Sequence, residues 1–361
     1  MKKRIIIVIS TAFVPTGGLA GVVMNYYRRI DKTGLQIDIA STNEAPAVLT
    51  EELIKYGGHY YCLGKRANVL AYFLNLYKLC KGYDILHVNG NSATTVIEHL
   101  AAKLAGVKRR INHNHNSICN HKIMSNMAYP LFNKLVTDRV ACSDLAGNWL
   151  YGEGNFVILK NAIDIVKYQY NHDVRKKTRK IFSIEDGCIV LGHVGKINKQ
   201  KNHLYLIRIF AEYKKLNQNS KLLLVGDGDM RLMAEDLVDK LCLSDSVIFA
   251  GLRTDIPELL QIMDFFVFPS LWEGLPLSVL EALSSGLPCI ISDHITRSIM
   301  IGPNIHSLQI ESEPKVWANF IANYNLTSRE KTCIVAAESI TEAGYNIRNE
   351  TENLEEMYRN N

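Results

Sequence analysis

Short runs of branched apolar residues alternate with amphipathic stretches along the whole chain. In the first half, Arg4–Ile9, Gln36–Ala40, His59–Leu63, Ile85–Val88, Arg110–His113 and Arg139–Cys142 predict strands. Leu19–Ile30 and Val69–Leu79 carry apolar positions at helical spacing and predict helices between them. Strands that read as continuous apolar runs, separated by helices, predict a mostly parallel sheet covered on both faces. The pattern then restarts, and Cys188–His193, Lys221–Val225, Val247–Phe249, Phe265–Phe268 and Cys289–Ser292 predict a second strand set. The expected fold is therefore α/β, with two doubly wound domains facing a cleft. The expected boundaries are residues 1–165, 166–344, and a helix within 345–361 that crosses back to the first domain. The charge-rich stretch Asp164–Lys180 is expected to hold the link, with its "RKKTRK" run as a solvated helix face. Ligands of such sheets bind beyond the carboxyl ends of the strands, so informative residues should follow strands.

Composition narrows the class. A chain of 361 residues with 47% hydrophobic and 21% charged residues can bury two cores and is not globally disordered. The net charge of +5 is too mild to demand nucleic acid, and none is expected as a partner. It suits a phosphorylated ligand or an anionic membrane surface. The start "MKKRIIIVIS" has the basic and apolar parts of a signal peptide, but the apolar run is short and a loop follows, so a buried first strand fits better. No run approaches the roughly 18–20 apolar residues that span a bilayer. The expected location is cytoplasmic. A peripheral contact at the inner face of the cell membrane is a further expectation, from Lys108, Arg109, Arg110 and Lys122 flanking the apolar Ile123–Leu135, although a buried helix would explain the same apolar residues. The eight cysteines form no Cys-x-x-Cys pair and mostly sit in apolar runs, which predicts reduced, buried thiols.

Four stretches carry candidate chemistry. In "PSLWEGLPLSVLEALSSGLP", Glu273 opens a Gly-Leu-Pro turn, Pro276 suits the first turn of a helix, and Glu281 lies inside that helix. Unpaired N–H groups at a helix start bind phosphate, and carboxylates accept hydrogen bonds from sugar hydroxyls. A purely structural helix capped by Glu273 is the alternative. It leaves Glu281 unexplained among Leu277, Leu280 and Leu283, because burying a carboxylate without a partner costs several kcal/mol; a polar partner is predicted. In "GHVGKINKQKN", Lys196 follows a strand-ending glycine and Lys201 precedes a helix. Two such lysines can stabilise a departing diphosphate without a metal, though lysines at these turns are also often merely solvated. In "VPTGGLAG", Gly17 and Gly18 permit close backbone approach before a helix, or form an ordinary turn. In "RRINHNHNS", His113 and His115 are expected to point to opposite faces if the strand continues. They are hydrogen-bonded strand-end histidines or site residues; as metal ligands they lack an evident third partner. Asp227-Gly228-Asp229 reads either as a metal-binding Asp-x-Asp or as a solvent-facing turn.

The spacing Glu-x7-Glu within "EGLPLSVLEALSSGLP" resembles the retaining glycosyltransferases of family four, which have the GT-B fold of two Rossmann-like domains. The likeness is dense from Gly192 to Asp293 and sparse before it. It implies transfer of a sugar with retention from a nucleotide diphosphate sugar, most simply a uridine diphosphate sugar. The acceptor would be a glycan or lipid-linked molecule in capsular or exopolysaccharide biosynthesis. No cofactor and no metal are implied. Glu281 would take the ribose hydroxyls and Glu273 the donor sugar, while the backbone of Gly274, Leu275, Pro276, Leu277 and Ser278 meets sugar and phosphate oxygens. Lys196 and Lys201 would clamp the diphosphate, Gly17 and Gly18 would face it, and Gly251, Leu252 and Arg253 would bracket the base. His115, with His113 as the alternative, would lie close to the donor sugar, so the implied catalytic set is Glu273, His115, Lys196 and Lys201. Ser143 matches a family serine. In "VILKNAIDIVKY", Asn161 and Asp164 match, but Ala162 replaces the usual glycine and puts that glycine's role in doubt. An epimerase of the same architecture should lack the paired glutamates. A non-catalytic sugar-binding or assembly subunit would have lost the charged residues. A dehydrogenase would carry Gly-x-Gly-x-x-Gly after the first strand.

Overall fold

The computed structural model describes residues 2–14, 17–117, 119 and 121–360. The chain packs as two compact units, Met1–Ala162 with Ile347–Asn361, and Ile163–Asn346. In the first unit β1 (Lys3–Ile9), β2 (Leu35–Ser41), β3 (Tyr60–Cys62), β4 (Ile85–Gly90), β5 (Arg109–Asn114), β6 (Asp138–Ala141) and β7 (Val157–Ile158) form a parallel sheet in the order β3-β2-β1-β4-β5-β6-β7. In the second, β8 (Ile189–Val194), β9 (Ser220–Val225), β10 (Val247–Gly251), β11 (Phe265–Phe268), β12 (Cys289–Ser292) and β13 (Ile305–Leu308) form another, in the order β10-β9-β8-β11-β12-β13. Both are doubly wound, Rossmann-like sheets. Strand order reverses between β1 and β4 and between β8 and β11, and such a reversal opens a crevice at the carboxyl edge.

The second sheet is buried on both faces, which is why its strands read as unbroken apolar runs. Val190, Leu223, Val225, Phe266 and Ile291 pack with Val279, Leu280 and Leu283 on one side. Leu191, Leu222, Leu224, Val267 and Ile290 pack with Leu206, Phe210 and Trp317 on the other. The helix Ile347–Arg359 belongs to the first unit, where the Tyr358 hydroxyl lies 2.6 Å from His87 Nδ1 and Arg109 donates to the Met357 carbonyl. All eight cysteines are free; Cys80, Cys188, Cys289 and Cys333 are buried, whereas Cys62 and Cys242 are exposed rather than buried.

The basic run is a solvated face only in part: Lys176, Lys177 and Lys180 are exposed, but Arg175 and Arg179 are not. It lies on the helix His172–Ile181, inside the second unit, and two of its cations turn inward. Arg175 donates to Asp264 Oδ1 at 2.6 Å and to the carbonyls of Gln261 and Met263. Arg179, buried, reaches the carbonyls of Ile262, Glu185 and Cys188 and lies 3.4 Å from Asp264 Oδ2. The carbonyls at the end of the helix Ile256–Ile262 need donors, and the arginines supply them. Asp264 also accepts the Val190 N–H at 2.8 Å. Replacing Asp264 with alanine strands two cations and a strand N–H, and the expected loss is about 3–5 kcal/mol of stability. Urea unfolding checks this, and a loss under about 1 kcal/mol would show that the cations are compensated elsewhere.

Candidate active site

The carboxyl edge of the second sheet is built from loops tied to one another. After β8, the Gly195 N–H donates to the Val225 carbonyl at 2.9 Å and the Ile197 N–H to the Asp227 carbonyl at 3.1 Å. After β9, the Gly226 N–H donates to the Gly251 carbonyl at 2.9 Å. These close approaches require glycine. Gly226 has φ +136°, and a Cβ there would run into the Gly195 carbonyl oxygen; a Cβ on Gly228 would run into that of Ile197. Asn198 Oδ1 then accepts the Lys201 N–H at 3.0 Å, and Asn202 takes a left-handed conformation before the helix His203–Leu216. This turn aims Lys201.

The loop after β11 meets it, because β11 and β8 are neighbours in the sheet. The Leu271 N–H donates to the Gln200 carbonyl at 2.8 Å, and Gln200 Nε2 donates to the Trp272 carbonyl and to Glu273 Oε1. Lys201 Nζ lies 2.7 Å from Glu273 Oε1, with the two side chains only 16% and 12% exposed. The same ammonium sits 4.5 Å from the centroid of the Phe268 ring, a cation–π contact. The helix Leu277–Ser284 starts just beyond, and no side chain caps its first turn. The Val279 N–H donates to the Pro276 carbonyl at 3.1 Å, which leaves the N–H groups of Leu277 and Ser278 to meet an anion. On that helix Glu281 Oε1 accepts the Tyr168 hydroxyl at 2.8 Å, which is the polar partner its surroundings demanded. Burial raises the Glu281 pKa, while Tyr168 and Lys167 act in the opposite sense.

The other expected residues of this unit are spread along the same edge. Lys196 is exposed on the β8 loop, and no hydrogen bond or ion pair engages its ammonium among the described residues. Gly251 has φ +69° and accepts from Gly226, Leu252 is exposed, and the Arg253 guanidinium is held by Asp255 at 2.6 Å. A Cβ on Gly274 would meet nothing, Pro276 is buried, Ser278 is half-buried, and Leu275 and Leu277 pack against the core. Asp227 accepts from the Gly228 N–H and lies 3.8 Å from Arg231, while Asp229 is exposed.

Gln200, Phe268 and Tyr168 escaped the reading of the sequence, as did a buried cluster behind Lys201. His193 Nδ1 lies 2.9 Å from the Val267 carbonyl, and its ring stacks on Phe268 at 5.0 Å. His203 packs edge-on against it at 4.5 Å, with neither ring nitrogen hydrogen-bonded. Burial, and secondly the charge of Lys201, pushes His203 down to about 4. The only signal in the chain was a histidine two residues after the lysine in "KNH".

In the first unit His113 lies on β5 and His115 one residue past its end at Asn114; residues two apart in an extended chain share a face, so the two rings lie on one side and not on opposite faces as expected. Their ring centroids lie 3.9 Å apart. His113 is buried with Nε2 3.1 Å from the Leu159 carbonyl. His115 lies between two amides, Nδ1 2.9 Å from Asn161 Oδ1 and Nε2 2.9 Å from Asn89 Oδ1. Burial holds its pKa at about 4, so the ring is neutral and donates from one nitrogen only. Turning the Asn89 amide over lets its buried, otherwise unpartnered Nδ2 donate to Nε2, with Nδ1–H donating to Asn161. The two amides hold the His115 ring in its orientation. Ser143 caps the helix Asp144–Tyr151, accepting the Ala146 N–H at 3.2 Å. Pro15 and Thr16 of the glycine loop lie outside the described residues. Gly17 precedes the helix Gly18–Arg29, and a Cβ on Gly18 would meet nothing, so the backbone there is open to approach.

Residues 174–324 match the family described as glycosyl transferases group 1. The chain is 31% identical over 374 aligned residues to the glycosyltransferase EpsF of Bacillus subtilis (strain 168), covering 99% of this chain and 96% of that one. It is 32% identical over 240 residues, 61% of each chain, to the Escherichia coli UDP-Gal:alpha-D-GlcNAc-diphosphoundecaprenol alpha-1,3-galactosyltransferase. Among solved structures, Anabaena Alr3699/HepE in complex with UDP and glucose superposes with a TM-score of 0.80 at 17% identity, over 100% of both chains. WaaG, a glycosyltransferase involved in lipopolysaccharide biosynthesis, superposes with a TM-score of 0.72 at 16% identity, over 99% of this chain and 100% of that one.

Proposed function

The chain belongs to the group 1 glycosyl transferases and has the GT-B fold, and we propose that it transfers a hexose from a uridine diphosphate sugar to a glycan or lipid-linked acceptor, with retention and without a metal, in cell-surface polysaccharide biosynthesis. The observation that carries this is the Lys201–Glu273 pair beside the uncapped start of the helix Leu277–Ser284. As the bond to the sugar breaks, negative charge grows on the diphosphate. Lys201 and the first-turn N–H groups meet that charge without rearrangement, and Lys196 adds a second cation from its loop. Glu273, held by Gln200 as well as Lys201, offers its carboxylate to donor sugar hydroxyls. Glu281 has Oε1 occupied by Tyr168 and offers Oε2 to the ribose. His115, neutral and held between Asn89 and Asn161, is the candidate residue of the first unit. The acceptor proton goes to an oxygen of the departing diphosphate, so no further base is needed. The Escherichia coli relative, named for a UDP-Gal donor and a diphosphoundecaprenol-linked acceptor, supports the donor and acceptor classes.

A panel of sugar nucleotides tested by thermal shift, followed by NMR of the product, checks the reading. A saturating donor at about 100-fold its Kd should stabilise the protein by about 2.7 kcal/mol. Uridine diphosphate sugars should shift the transition, the product should keep the donor's anomeric configuration, and a chelator should leave the rate unchanged. A shift with other bases only, an inverted product, or loss of activity in chelator would each overturn the corresponding part. Conversion of the donor with no acceptor present would identify an epimerase instead.

A further inference from the structure

Three helices of the first unit lie side by side: Val69–Cys80, Val96–Leu104 and Lys122–Leu135, the middle one packed against both others. Each leaves large apolar side chains in solvent. On Lys122–Leu135, Ile123, Met127 and Leu131 recur every four residues and form one ridge, with Ile123 77% and Met127 79% exposed. On Val69–Cys80, Leu70 (70% exposed) and Leu74 repeat that spacing, and Leu104 is exposed at the end of the middle helix. These side chains do not fill a core; the apolar residues of Ile123–Leu135 expected to be explicable by a buried helix are largely outside it.

The charge on this face is one-sided. From Lys65 to Leu135 the sequence has ten Lys and Arg against Asp84 and Glu98, +8 in a stretch of a chain whose total is +5. Glu98 is buried and held by Arg66 and the Tyr72 hydroxyl, and Asp84 accepts the Arg4 N–H. Arg109 and Arg110, expected among the membrane-facing cations, are turned away. Arg109 is paired with Asp138 at 2.6 Å, and Arg110 donates to the carbonyls of Leu135, Val107 and Lys108. The available cations are instead lysines. Lys78, Lys103, Lys122 and Lys134 are exposed on the three helices, which show no exposed carboxylate among them.

We propose that this three-helix face rests on a bilayer containing anionic phospholipid, with the Ile123–Met127–Leu131 ridge inserted among the headgroups and the lysines on their phosphates. No described helix is long and apolar enough to cross a membrane, so the contact is interfacial. Apolar ridges bordered by long-stemmed cations match an interface that is apolar below and anionic above. A second copy of the same face would set lysines against lysines, which is unfavourable. The proposal rests on the first unit alone and stands apart from the reading of the site in the second.

The test is co-sedimentation of the full chain with phosphatidylglycerol-containing vesicles and with pure phosphatidylcholine vesicles. Partitioning should be at least about tenfold stronger to the anionic vesicles and should weaken with salt. The double variant Met127→Glu/Leu131→Glu should bind about tenfold more weakly with an unchanged unfolding midpoint, and so should Lys122→Glu/Lys134→Glu, while Val316→Glu, an exposed apolar residue of the second unit, should bind like the parent. The proposal is overturned if the parent fails to bind anionic vesicles at low salt, or if the parent and both double variants bind equally. It is also overturned if light scattering shows a dimer that Met127→Glu disrupts.

Discussion

Replacing Lys201 with alanine is expected to lower the transfer rate about 10²- to 10³-fold, the scale of removing one preplaced group that meets charge developing in a transition state. Lys201 earns this weight from its surroundings. Its ammonium is mostly buried, lies against the Phe268 ring and is held 2.7 Å from Glu273, so its position does not depend on the ligand. The substitution also leaves Glu273 with Gln200 as its remaining named partner. The loss should appear in kcat more than in KM, because the charge grows only as the bond breaks. Lys201→Arg should recover part of it by keeping the cation. Lys196→Ala should cost less, since that side chain is exposed and no described residue holds it. A Lys201→Ala enzyme turning over within about threefold of the parent would remove Lys201 from the reaction.

Acid is expected to unfold the chain well above the usual carboxylate range. His87 is held at about 3, and His99 and His203 at about 4, each chiefly because burial disfavours the charged ring. Unfolded, each returns to about 6.5. A depressed folded pKa gives stability that is complete above the unfolded value and is lost as pH falls towards the folded one, because the unfolded chain binds protons that the folded chain refuses. Each unfolded ring is already half protonated at pH 6.5, so at less than the full slope of about 1.4 kcal/mol per pH unit each group loses about 1.6 kcal/mol between pH 6.5 and pH 5, about 5 kcal/mol for the three, comparable with the low end of the 5–15 kcal/mol range of a whole domain's stability. His113 and His193 are lowered further by burial and act in the same direction. Glu281 and Glu350, raised by burial, act in the opposite sense at more acid pH. Urea unfolding midpoints at pH 7 and pH 5 measure the effect. A flat profile would mean that these rings admit water and protonate in place, and His99→Gln should make the dependence shallower.

The strands were legible because a parallel sheet covered on both faces demands unbroken apolar runs, and β11 and β12 coincide with theirs. Two strands were not. β7 has two residues, and β13 is an edge strand whose Ile305 is buried while Ser307 is exposed, so neither shows the pattern. Arg175 and Arg179 misled for a related reason. Charge along a chain is read as solvent-facing, and only the carbonyls at the end of a neighbouring helix, more than eighty positions away, make burial of those cations worthwhile. The two site histidines were assigned opposite faces, but residues two apart in an extended strand share one, and their rings lie 3.9 Å apart.

The order of residues determined the two strand sets, the glycines that let the loops cross, and the presence of lysines and glutamates after strands. Those are local properties of spacing, side-chain shape and charge, and they survive without knowing any neighbour. Which groups meet was decided only by the folded chain. Lys201 reaches Glu273, 72 positions on, because β11 lies against β8 and brings their loops together. Glu281 finds Tyr168, and His115 finds Asn89 and Asn161, through the same kind of packing. A hydrogen bond depends on distance in space, and strand order converts sequence separation into that distance.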